Sequence, residues 1–319
     1  MFDSVSLGEA LVDLLPLKVE NMPNSFHAVP GGATLNCVTQ LSHLGFKTSY
    51  ISTVGNDVFG KMLVKALDEE HVDMTCFRQT DEANTTLAIV SHDAFGARDF
   101  SFYRKPVADM MIHFDEEMRQ LLDNARSFHV GTISLIGGPA KQTTMDCLDY
   151  AKSKGKIISF DPNFRLNIWD DPNELVEITK SVIPYANLMK ISAEEIQMLT
   201  GLDDLHEAKD QVLREYENLE FLAVTNGAES TICTNRVAEV EVSAFKVKAI
   251  DTTGCGDSFT GSLISRLIKS VGAWRTWGEE ELKEAVTFAN AAGAVTATRF
   301  GAMPILPREE EILAFLDQQ

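Results

Sequence analysis

The chain has 319 residues, enough for one large α/β domain with a small appendage or for two domains of ordinary size. It carries 28 Lys and Arg against 47 Asp and Glu, a formal net charge of −19. An acidic surface disfavours nucleic acid and anionic membranes as partners, and it fits either ordinary solubility or adaptation to a salt-rich cytoplasm.

Apolar segments that resemble strands alternate with segments of helical periodicity along most of the chain. The predicted strands are Val5–Gly8, Thr48–Val54, Ser127–Val130, Ile157–Phe160, Leu188–Ile191 and Phe221–Thr225. The predicted helices span 33–44, 58–70, 140–153, 173–182 and 194–217, and the C-terminal part is helical. Because the strands are continuously apolar, we predict a mostly parallel sheet covered by helices on both faces. Small residues between Ala285 and Val295 indicate close packing against the helix that follows Gly256.

Two segments interrupt this alternation, residues 12–30 and residues 85–107. The second contains Thr86–Ser91 and Phe100–Tyr103 around a turn at 93–97, which is typical of a hairpin. We predict that these segments form a small β lid, and that a second subunit covers its apolar edges in a homodimer. Residues 1–11, 31–84 and 108–319 then form the main domain.

A glycine-rich segment, Gly31-Gly32-Ala33-Thr34-Leu35-Asn36, opens the first predicted helix. Glycines at this place let a ligand approach the backbone, and the amide of Asn36 can both donate and accept hydrogen bonds. Asp13, near the first strand, is a carboxylate suited to paired sugar hydroxyls. A glycine-rich turn beside a solvent-exposed aspartate explains the same residues without a ligand, and both interpretations stay open.

Three further segments end predicted strands, where open α/β sheets bind their ligands. Arg165, in Asp161-Pro-Asn-Phe-Arg165, is placed to meet a phosphate. Ser192 and Glu195 have the spacing of a capping box, which is a structural reason for both residues. Thr225-Asn226-Gly227 ends a strand in a turn that suits the edge of a nucleotide site and also needs no ligand.

The most informative run is Asp251-Thr-Thr-Gly-Cys-Gly-Asp257, which precedes an apolar helical stripe. Its glycines and the N–H groups of the first helical turn favour an anion. Asp257 would repel a passive phosphate there, but a base beside a phosphate suits a hydroxyl that loses its proton as it attacks phosphorus. The structural alternative is that Asp257 only caps the helix. Neither a P-loop nor a dinucleotide fingerprint is present.

Together these segments resemble the ribokinase-like (PfkB) carbohydrate kinase family, and within it the fructokinases, over essentially the whole chain. Residues 251–257 are similar to the family's C-terminal signature, which usually has Ala where Cys255 stands. Gly31-Gly32 with Asn36, followed by residues 54–60, is similar to its N-terminal signature. The segments similar to fructokinases in particular are 98–110, 128–135, 161–165 and 190–195.

The resemblance implies a three-layer α/β/α sandwich with a mostly parallel central sheet and a small β-sheet lid over the sugar. It implies an ATP-dependent fructokinase that forms fructose 6-phosphate. The alternatives within enzymes are a 2-keto-3-deoxygluconate kinase or a ribokinase, which differ in the sugar pocket around Asp13, Asn36 and Arg104. The non-enzymatic alternative is a catalytically silent relative that binds sugar as a regulator.

The resemblance also implies a role for each site residue. Asp257 would be the base, and the backbone N–H groups of Gly254, Cys255 and Gly256 would form an anion hole for the phosphoryl group. The implied sugar contacts are Asp13, Gly31, Gly32, Asn36 and Arg104. The implied contacts to ATP and its phosphates are Arg165, Lys190, Ser192, Thr225, Gly227 and Asn290. Glu195 would act through water on Mg²⁺, and the implied K⁺ site comprises Asp251, Thr253, Thr296, Arg299 and Gly301.

Five widely spaced cysteines and a start without a basic segment predict reduced thiols and a cytoplasmic protein. No apolar run approaches the roughly 18 residues that a membrane span requires. The seven histidines lack metal-ligand spacing, so we expect no zinc site. A helix N-terminus favours the thiolate form of cysteine, so we expect thiol reagents acting on Cys255 to reduce activity.

Overall fold

The computed structural model describes residues 1–19, 22–92, 98–104 and 106–319 of the chain. The strands, in chain order, are β1 (Phe2–Leu7), β2 (Leu11–Val19), β3 (Met22–Gly31), β4 (Thr48–Gly55), β5 (Phe77–Thr80), β6 (Thr86–His92), β7 (Arg98–Tyr103), β8 (Ala125–Val130), β9 (Ile157–Phe160), β10 (Leu188–Ser192), β11 (Phe221–Asn226), β12 (Ser230–Thr234) and β13 (Glu239–Ser243). The α-helices are α1 (Ala33–His43), α2 (Val58–Glu69), α3 (Glu116–Asp123), α4 (Gly138–Ser153), α5 (Pro172–Val182), α6 (Ala193–Thr200), α7 (Leu205–Glu215), α8 (Cys255–Lys269), α9 (Glu279–Ala297) and α10 (Glu309–Leu316). Of these helices, none combines the length and the hydropathy that a bilayer crossing requires.

Two separate β-sheets organise the described residues. The main sheet has nine strands in the order β13-β12-β11-β10-β9-β8-β1-β4-β5. In this order, the seven strands from β11 to β5 pair parallel with one another. Strand β12 pairs antiparallel with β11, and β13 pairs antiparallel with β12 at that edge. The continuously apolar segments predicted as strands all lie in the parallel part of this sheet.

Helices cover both faces of the main sheet, as strand β11 shows. Phe221 and Ala223 pack with Leu263 of α8 in one buried cluster. Leu222 and Val224 belong to a second cluster that includes residues of α4, α6 and α7. Because successive side chains of a strand point to opposite faces, β11 is buried on both sides. This confirms the predicted three-layer α/β/α sandwich.

Helix α8 packs against both α1 and α9 on one side of the main sheet. Phe259 and Leu263 of α8 share a buried cluster with Ala285 and Ala289 of α9. The small alanine side chains let the two helices approach closely, as the sequence predicted. This packing fixes the direction of α8 and so the place to which its N-terminus points.

The smaller sheet has four strands in the order β3-β2-β6-β7. Strand β2 pairs antiparallel with β3 and parallel with β6, and β6 pairs antiparallel with β7. Leu17, Phe26 and Tyr103 of this sheet are 40%, 43% and 64% exposed. The predicted hairpin turn at 93–97 lies outside the described residues.

A helix cap ties the smaller sheet to the main one. Asp57 is the N-cap of α2, and its Oδ1 accepts hydrogen bonds from the backbone N–H groups of Phe59 at 3.0 Å and Gly60 at 2.8 Å. Oδ1 also accepts from the hydroxyl of Thr85 at 2.9 Å, and Oδ2 accepts from the Thr85 N–H at 2.8 Å. One carboxylate therefore joins the start of α2 to the residue that precedes β6.

The structure also contains elements that the sequence patterns did not predict. Strands β5, β12 and β13 and helix α3 were not predicted. The single helix predicted over 194–217 consists of α6 and α7, because Gly201 adopts the left-handed conformation with φ +75° and ends α6. The strand β13 lies at a sheet edge with several exposed side chains, so it lacks the apolar pattern of a central strand.

Candidate active site

A cavity of about 690 Å³ opens at the C-terminal end of the parallel strands and reaches the smaller sheet. Ligands of parallel α/β sheets bind at this end of the strands. The cavity brings together many residues predicted as site residues from distant parts of the sequence. These are Asp13, Gly32, Asn36, Arg165, Lys190, Ser192, Glu195, Thr253, Gly254, Gly256 and Asp257. The cavity is therefore the candidate active site.

Asp257 lies in the first turn of α8 at the wall of the cavity and is 8% exposed. Its Oδ2 accepts a hydrogen bond of 2.7 Å from the Asn36 amide, and its Oδ1 accepts one of 3.3 Å from the Asn163 amide. Both oxygens are thus bound by side-chain amides from other elements, whereas a capping carboxylate would accept from the first-turn backbone. The residue therefore has an arrangement that capping alone does not explain.

The electrostatic surroundings of Asp257 favour its protonated form relative to an ordinary aspartate. Burial raises the pKa of Asp257 from 3.8 to about 6, and the carboxylate of Asp161 contributes in the same direction. The Asn36 hydrogen bond and the charges of Arg165 and Lys190 oppose this shift. A carboxylate with a pKa of about 6 is mostly ionised at neutral pH and is a stronger base than an exposed aspartate.

The N-terminus of α8 opens onto the same cavity. Gly254 is the N-cap with φ +79°, a left-handed conformation that a glycine adopts without strain. Gly254 and Gly256 both line the cavity, and the N–H groups of a first helical turn have no partner within the helix. The N–H of Cys255 donates to Thr252 O at 3.3 Å, and Cys255 does not belong to the lining. The turn can therefore bind an anion beside Asp257.

Lys190 lies under this turn and is bound to Asp161. Its Nζ is 3.3 Å from Asp161 Oδ2, which also accepts a hydrogen bond of 2.9 Å from the Thr260 hydroxyl of α8. Burial lowers the pKa of Lys190, but the carboxylates of Asp161, Glu195 and Asp257 outweigh it, so the net shift is upward. Lys190 is therefore a fixed positive charge beneath the helix N-terminus.

Ser192 and Glu195 form the predicted capping box at the start of α6. The Ser192 hydroxyl accepts from the Glu195 N–H at 3.3 Å, and Glu195 Oε2 accepts from the Ser192 N–H at 2.8 Å. The other oxygen, Oε1, accepts from the Phe164 N–H at 2.6 Å. Glu195 lines the cavity, so the capping carboxylate also contributes negative charge to it.

The segment around Asn36 and Asp13 forms the wall of the cavity nearest to the smaller sheet. Gly32 has φ +133°, and a Cβ atom there would lie 2.3 Å from the carbonyl oxygen of Glu9, so this position requires glycine. Asp13 of β2 is 6% exposed and lies beside Gly31, which is not part of the lining. The Asn36 Oδ1 is buried and has no hydrogen-bond partner among the described residues.

The sequence patterns missed Glu9, which also lines the cavity. It follows β1, is 2% exposed, and its Oε1 accepts a hydrogen bond of 2.6 Å from the Ala33 N–H. Burial raises the pKa of Glu9 from 4.5 to about 7. Its position just after a glycine at the C-terminal end of a strand is a signal that could have identified it.

Asn163 is a second missed residue, although the segment around it was predicted. It lines the cavity, is 8% exposed and donates to Asp257. The predicted residue of this segment, Arg165, also lines the cavity and donates to Phe164 O at 3.1 Å. The neutral amide two positions earlier carries no charge that would mark it in the sequence.

Arg104 lies in an adjoining cavity, also of about 690 Å³, that shares Phe102 and Asn167 with the first. Its Nη2 donates to Asp109 Oδ2 at 2.5 Å, and Asp109 Oδ1 accepts from the Thr86 hydroxyl at 2.7 Å. The Arg104 and Asp109 side chains are 7% and 1% exposed. The guanidinium is therefore neutralised by a buried carboxylate next to the candidate site.

The residues predicted to contact the nucleotide base lie outside the main cavity. Thr225 is the penultimate residue of β11, and Gly227 is in the turn to β12 with φ +50°. Asn290 of α9 accepts a hydrogen bond of 2.8 Å from the Thr231 hydroxyl and donates to Val242 O at 3.4 Å. The three residues thus lie along the edge formed by β11, β12 and α9.

Some of the residues predicted to bind a monovalent cation contact one another. Asp251 is 3% exposed, and its two oxygens accept from the Thr253 N–H at 2.7 Å and the Gly301 N–H at 3.3 Å. The Arg299 guanidinium instead donates to Ile305 O at 3.0 Å and contacts Glu311. The Thr296 hydroxyl donates to Ala292 O within α9 at 2.8 Å. Asp251, Thr253 and Gly301 therefore form the compact part of this set.

Comparison with known proteins gives one consistent result. A family described as pfkB family carbohydrate kinase matches residues 1–309. Fructokinase-1 of Zea mays is 36% identical over 319 residues, covering 98% of this chain and 97% of that protein. A fructokinase from Xylella fastidiosa with bound ATP has a TM-score of 0.90 at 28% identity, covering 100% of this chain and 99% of the other.

A second solved structure shows a related enzyme with its ligands. The fructokinase from Vibrio cholerae O395, in a form with bound fructose, ADP and calcium ion, is 31% identical with a TM-score of 0.86. The similarity covers 99% of this chain and 99% of that one. With the family match over nearly its whole length and a buried aspartate at a glycine-rich helix N-terminus, the chain belongs to the pfkB family of carbohydrate kinases.

Proposed function

We propose that this protein is an ATP-dependent fructokinase that converts fructose to fructose 6-phosphate. One observation carries the proposal: the Asp257 carboxyl and the first turn of α8 line the same cavity. A base and an anion-binding helix N-terminus at one point are what transfer of a phosphoryl group to an alcohol requires. The relatives named fructokinase support fructose as the sugar.

The reaction follows from the positions of the two groups. The sugar hydroxyl transfers its proton to Asp257 as its oxygen attacks the γ-phosphorus of ATP, and the bond from that phosphorus to the ADP oxygen breaks. The first-turn N–H groups near Gly254 and Gly256 stabilise the negative charge on the phosphoryl oxygens during transfer. Phosphoryl transfer requires little covalent chemistry of the protein, so positioning and charge stabilisation provide most of the rate enhancement.

We assign sugar binding to the wall nearest to the smaller sheet. Asp13 accepts hydrogen bonds from sugar hydroxyls, and the buried Oδ1 of Asn36, which has no partner among the described residues, can accept another. Gly31 and Gly32 allow close approach to the backbone. Arg104 approaches the sugar from the adjoining cavity, where lid closure would bring it nearer.

The charges near the sugar favour a neutral substrate. Glu9, Asp13 and Asp257 already line the cavity, and the Arg104 cation is already paired with Asp109. A sugar acid such as 2-keto-3-deoxygluconate would add a carboxylate beside these acidic side chains. Fructose brings no charge, so the arrangement favours fructose over this alternative.

We assign the phosphates and the metal ions to the opposite wall. Arg165, Lys190 and Ser192 are the proposed phosphate contacts, and Thr225, Gly227 and Asn290 are the proposed contacts to the base and ribose. The oxygen donors of Glu195 fit Mg²⁺ held largely by water and phosphate, for which one carboxylate is enough. Bound there, Mg²⁺ would neutralise charge on the phosphates of the substrate ATP.

The proposed K⁺ site is next to the anion-binding turn. The buried Asp251 carboxylate supplies the oxygen that a hard monovalent cation prefers, and the N–H groups of Thr253 and Gly301 hold it in place. The remaining predicted members, Thr296 and Arg299, would contribute backbone carbonyl groups. K⁺ bound there would add positive charge behind the turn that receives the phosphoryl group.

Three further properties remain part of the proposal. We infer that residues 12–30 and 85–107 act as a lid on a main domain formed by residues 1–11, 31–84 and 108–319. The exposed apolar side chains of Leu17 and Phe26 support a homodimer formed through this lid. We also propose that the protein works in the cytoplasm.

A coupled assay of ADP release tests the function. Fructose, 2-keto-3-deoxygluconate and ribose are compared at matched concentrations with ATP, Mg²⁺ and K⁺ present. The proposal expects the highest kcat/KM with fructose and almost no turnover by the Asp257→Asn variant. Equal or higher kcat/KM with another sugar would replace fructose, and silence with every sugar would favour a sugar-binding regulator.

A further inference from the structure

The loop after β9 holds Asn163 in an unusual backbone conformation. Its φ is +46°, a left-handed region that non-glycine residues rarely adopt and that asparagine tolerates best. Contacts on both sides impose it: Pro162 O accepts from the Thr132 hydroxyl at 2.6 Å, and the Phe164 N–H donates to Glu195 at 2.6 Å. The conformation therefore results from tertiary contacts.

This conformation brings the Asn163 amide to Asp257. The Asn163 Nδ2 lies 3.3 Å from Asp257 Oδ1, and the Asn36 Nδ2 lies 2.7 Å from Asp257 Oδ2. The carboxylate is thus held between amides from two different elements. The Asn36 hydrogen bond is the shorter of the two, so Oδ2 is engaged more strongly and Oδ1 is better able to take a proton.

We propose that Asn163 is a positioning residue for phosphoryl transfer: together with Asn36 it fixes the plane of the Asp257 carboxylate, so that Oδ1, the oxygen with the longer hydrogen bond, faces and accepts the sugar proton. This inference rests on the proposed function, in which Asp257 is the base. An N–H donor stabilises an ionised carboxylate relative to its protonated form. Asn163 therefore adds a second, longer hydrogen bond to the one by which Asn36 stabilises the ionised carboxylate.

The charged neighbours of Asp257 do not replace this amide. Asp161, at the start of the same loop, raises the pKa of Asp257, and Arg165 and Lys190 lower it by their charge. Lys190 is itself bound to Asp161, so its charge is shared. On the α1 side, the contact is the uncharged amide of Asn36. Loss of the Asn163 amide therefore leaves Oδ1 without its donor.

Two variants of Asn163 distinguish the effect of its side-chain amide from the effect of its backbone conformation. Asn163→Gly keeps the left-handed conformation without strain and removes the amide, whereas Asn163→Asp keeps the size and replaces a donor by a second carboxylate. We expect kcat/KM of Asn163→Gly at pH 7 to fall about tenfold, and the acid limb of its pH profile to move up by about one pH unit. Asn163→Asp should move the limb further, because like charges this close disfavour ionisation of both.

Val271→Gly is the matched control. Val271 also has a left-handed backbone, with φ +51°, but it is 80% exposed, so its replacement by glycine relieves the backbone without touching the cavity. We expect this variant to keep the parent's pH profile. Profiles of kcat/KM from pH 5 to 9 are recorded for all variants, together with the KM for fructose and thermal unfolding.

Two results would overturn the inference. One is an acid limb that stays at the parent's pH in both Asn163 variants. The other is a change confined to the KM for fructose or to thermal stability, which would make Asn163 a sugar contact or a loop support. Neither result affects the proposed function, which is tested separately by the comparison of sugars and by the Asp257→Asn variant.

Discussion

Two aspartates at the N-termini of helices show how differently one residue type can behave. Asp57 caps α2, and Asp257 lies in the first turn of α8, each in a segment similar to a family signature. Burial on its own raises the pKa of a carboxyl, and it acts on both residues. At Asp57 the hydrogen bonds from Thr85, Gly60 and Phe59 outweigh burial, so the net pKa is lowered. At Asp257 burial dominates, and the pKa rises to about 6.

The difference lies in the hydrogen-bond donors that reach each carboxylate. Asp57 receives three backbone N–H groups and a hydroxyl, so its negative charge is stabilised and it acts as a fixed structural anion. Among the residues that the structure describes, Asp257 receives hydrogen bonds from two amide side chains and from no backbone N–H group. A carboxylate less stabilised by its surroundings accepts a proton more readily, which is what a general base requires.

The largest expected effect is on turnover, which should fall in a variant of Asp257 and persist in the same variant of Asp57. Asp257→Asn should lower kcat by roughly 10²–10⁴-fold, because loss of a general base typically has that effect. Fructose binding, measured by calorimetry, should persist, since Asn keeps the size of the side chain. Asp57→Asn serves as the control and should keep most of its activity per folded molecule. Comparable losses in both variants would contradict the distinction between a base and a cap.

The second prediction concerns stability and pH. Because the folded-state pKa of Asp257 is raised from 3.8 to about 6, this residue costs stability as the pH rises through that window. Asp257→Asn removes the cost, so its free energy of unfolding at pH 8 should exceed the parent's by up to about 3 kcal/mol. The gain should be mostly lost near pH 4, where the parent's carboxyl is protonated in the folded state and only partly ionised in the unfolded state. Urea unfolding at the two pH values measures it, and an equal gain at both would contradict the mechanism.

The third prediction concerns Asp57, whose charge stabilises the folded state, whereas the charge of Asp257 destabilises it. Asp57→Ala removes the cap of α2 and leaves the Thr85 N–H without its acceptor, so the free energy of unfolding at pH 7 should fall by about 2 kcal/mol. Because the pKa of Asp57 is lowered in the folded state, its contribution is present above pH 3.8 and is lost on acidification through the folded pKa. The deficit of the variant should therefore narrow in acid. A constant deficit would show that packing, and not the charge, stabilises this turn.

Much of the fold could be predicted because its central strands are buried on both faces. Residues such as Phe221 and Val224 make β11 continuously apolar, and this pattern alone indicates a parallel sheet between helices. The edge strands could not be predicted in this way. Strand β5 has only partly buried and exposed side chains, so its sequence carries no comparable pattern. Gly201, in contrast, was a visible signal for the end of α6.

The candidate site could be predicted where its chemistry is concentrated in one segment. The run from Asp251 to Asp257 contains the base and the glycines together. Glu9 and Asn163 gave no such signal, because their importance arises from contacts between distant parts of the chain. Asn163 is 94 residues from Asp257, and Asn36 is 221 residues from it. A single sequence does not reveal which amides will meet one carboxylate.

The smallest expected effect concerns the first residue of α8, Cys255, and the sensitivity of activity to thiol reagents. Cys255 begins α8 beside the anion-binding turn and is partly exposed, whereas Cys37, Cys76, Cys147 and Cys233 are buried. A thiol reagent should therefore modify Cys255 first and reduce activity by placing bulk beside the phosphoryl position. Cys255→Ala should keep activity within about threefold of the parent and lose the sensitivity, because a first-turn N–H group does not depend on its own side chain. Mass spectrometry identifies the modified residue during inactivation. Full activity after complete modification of Cys255 would contradict the predicted sensitivity and show that the start of α8 is as open as that of α2, whose first residue, Val58, is 68% exposed.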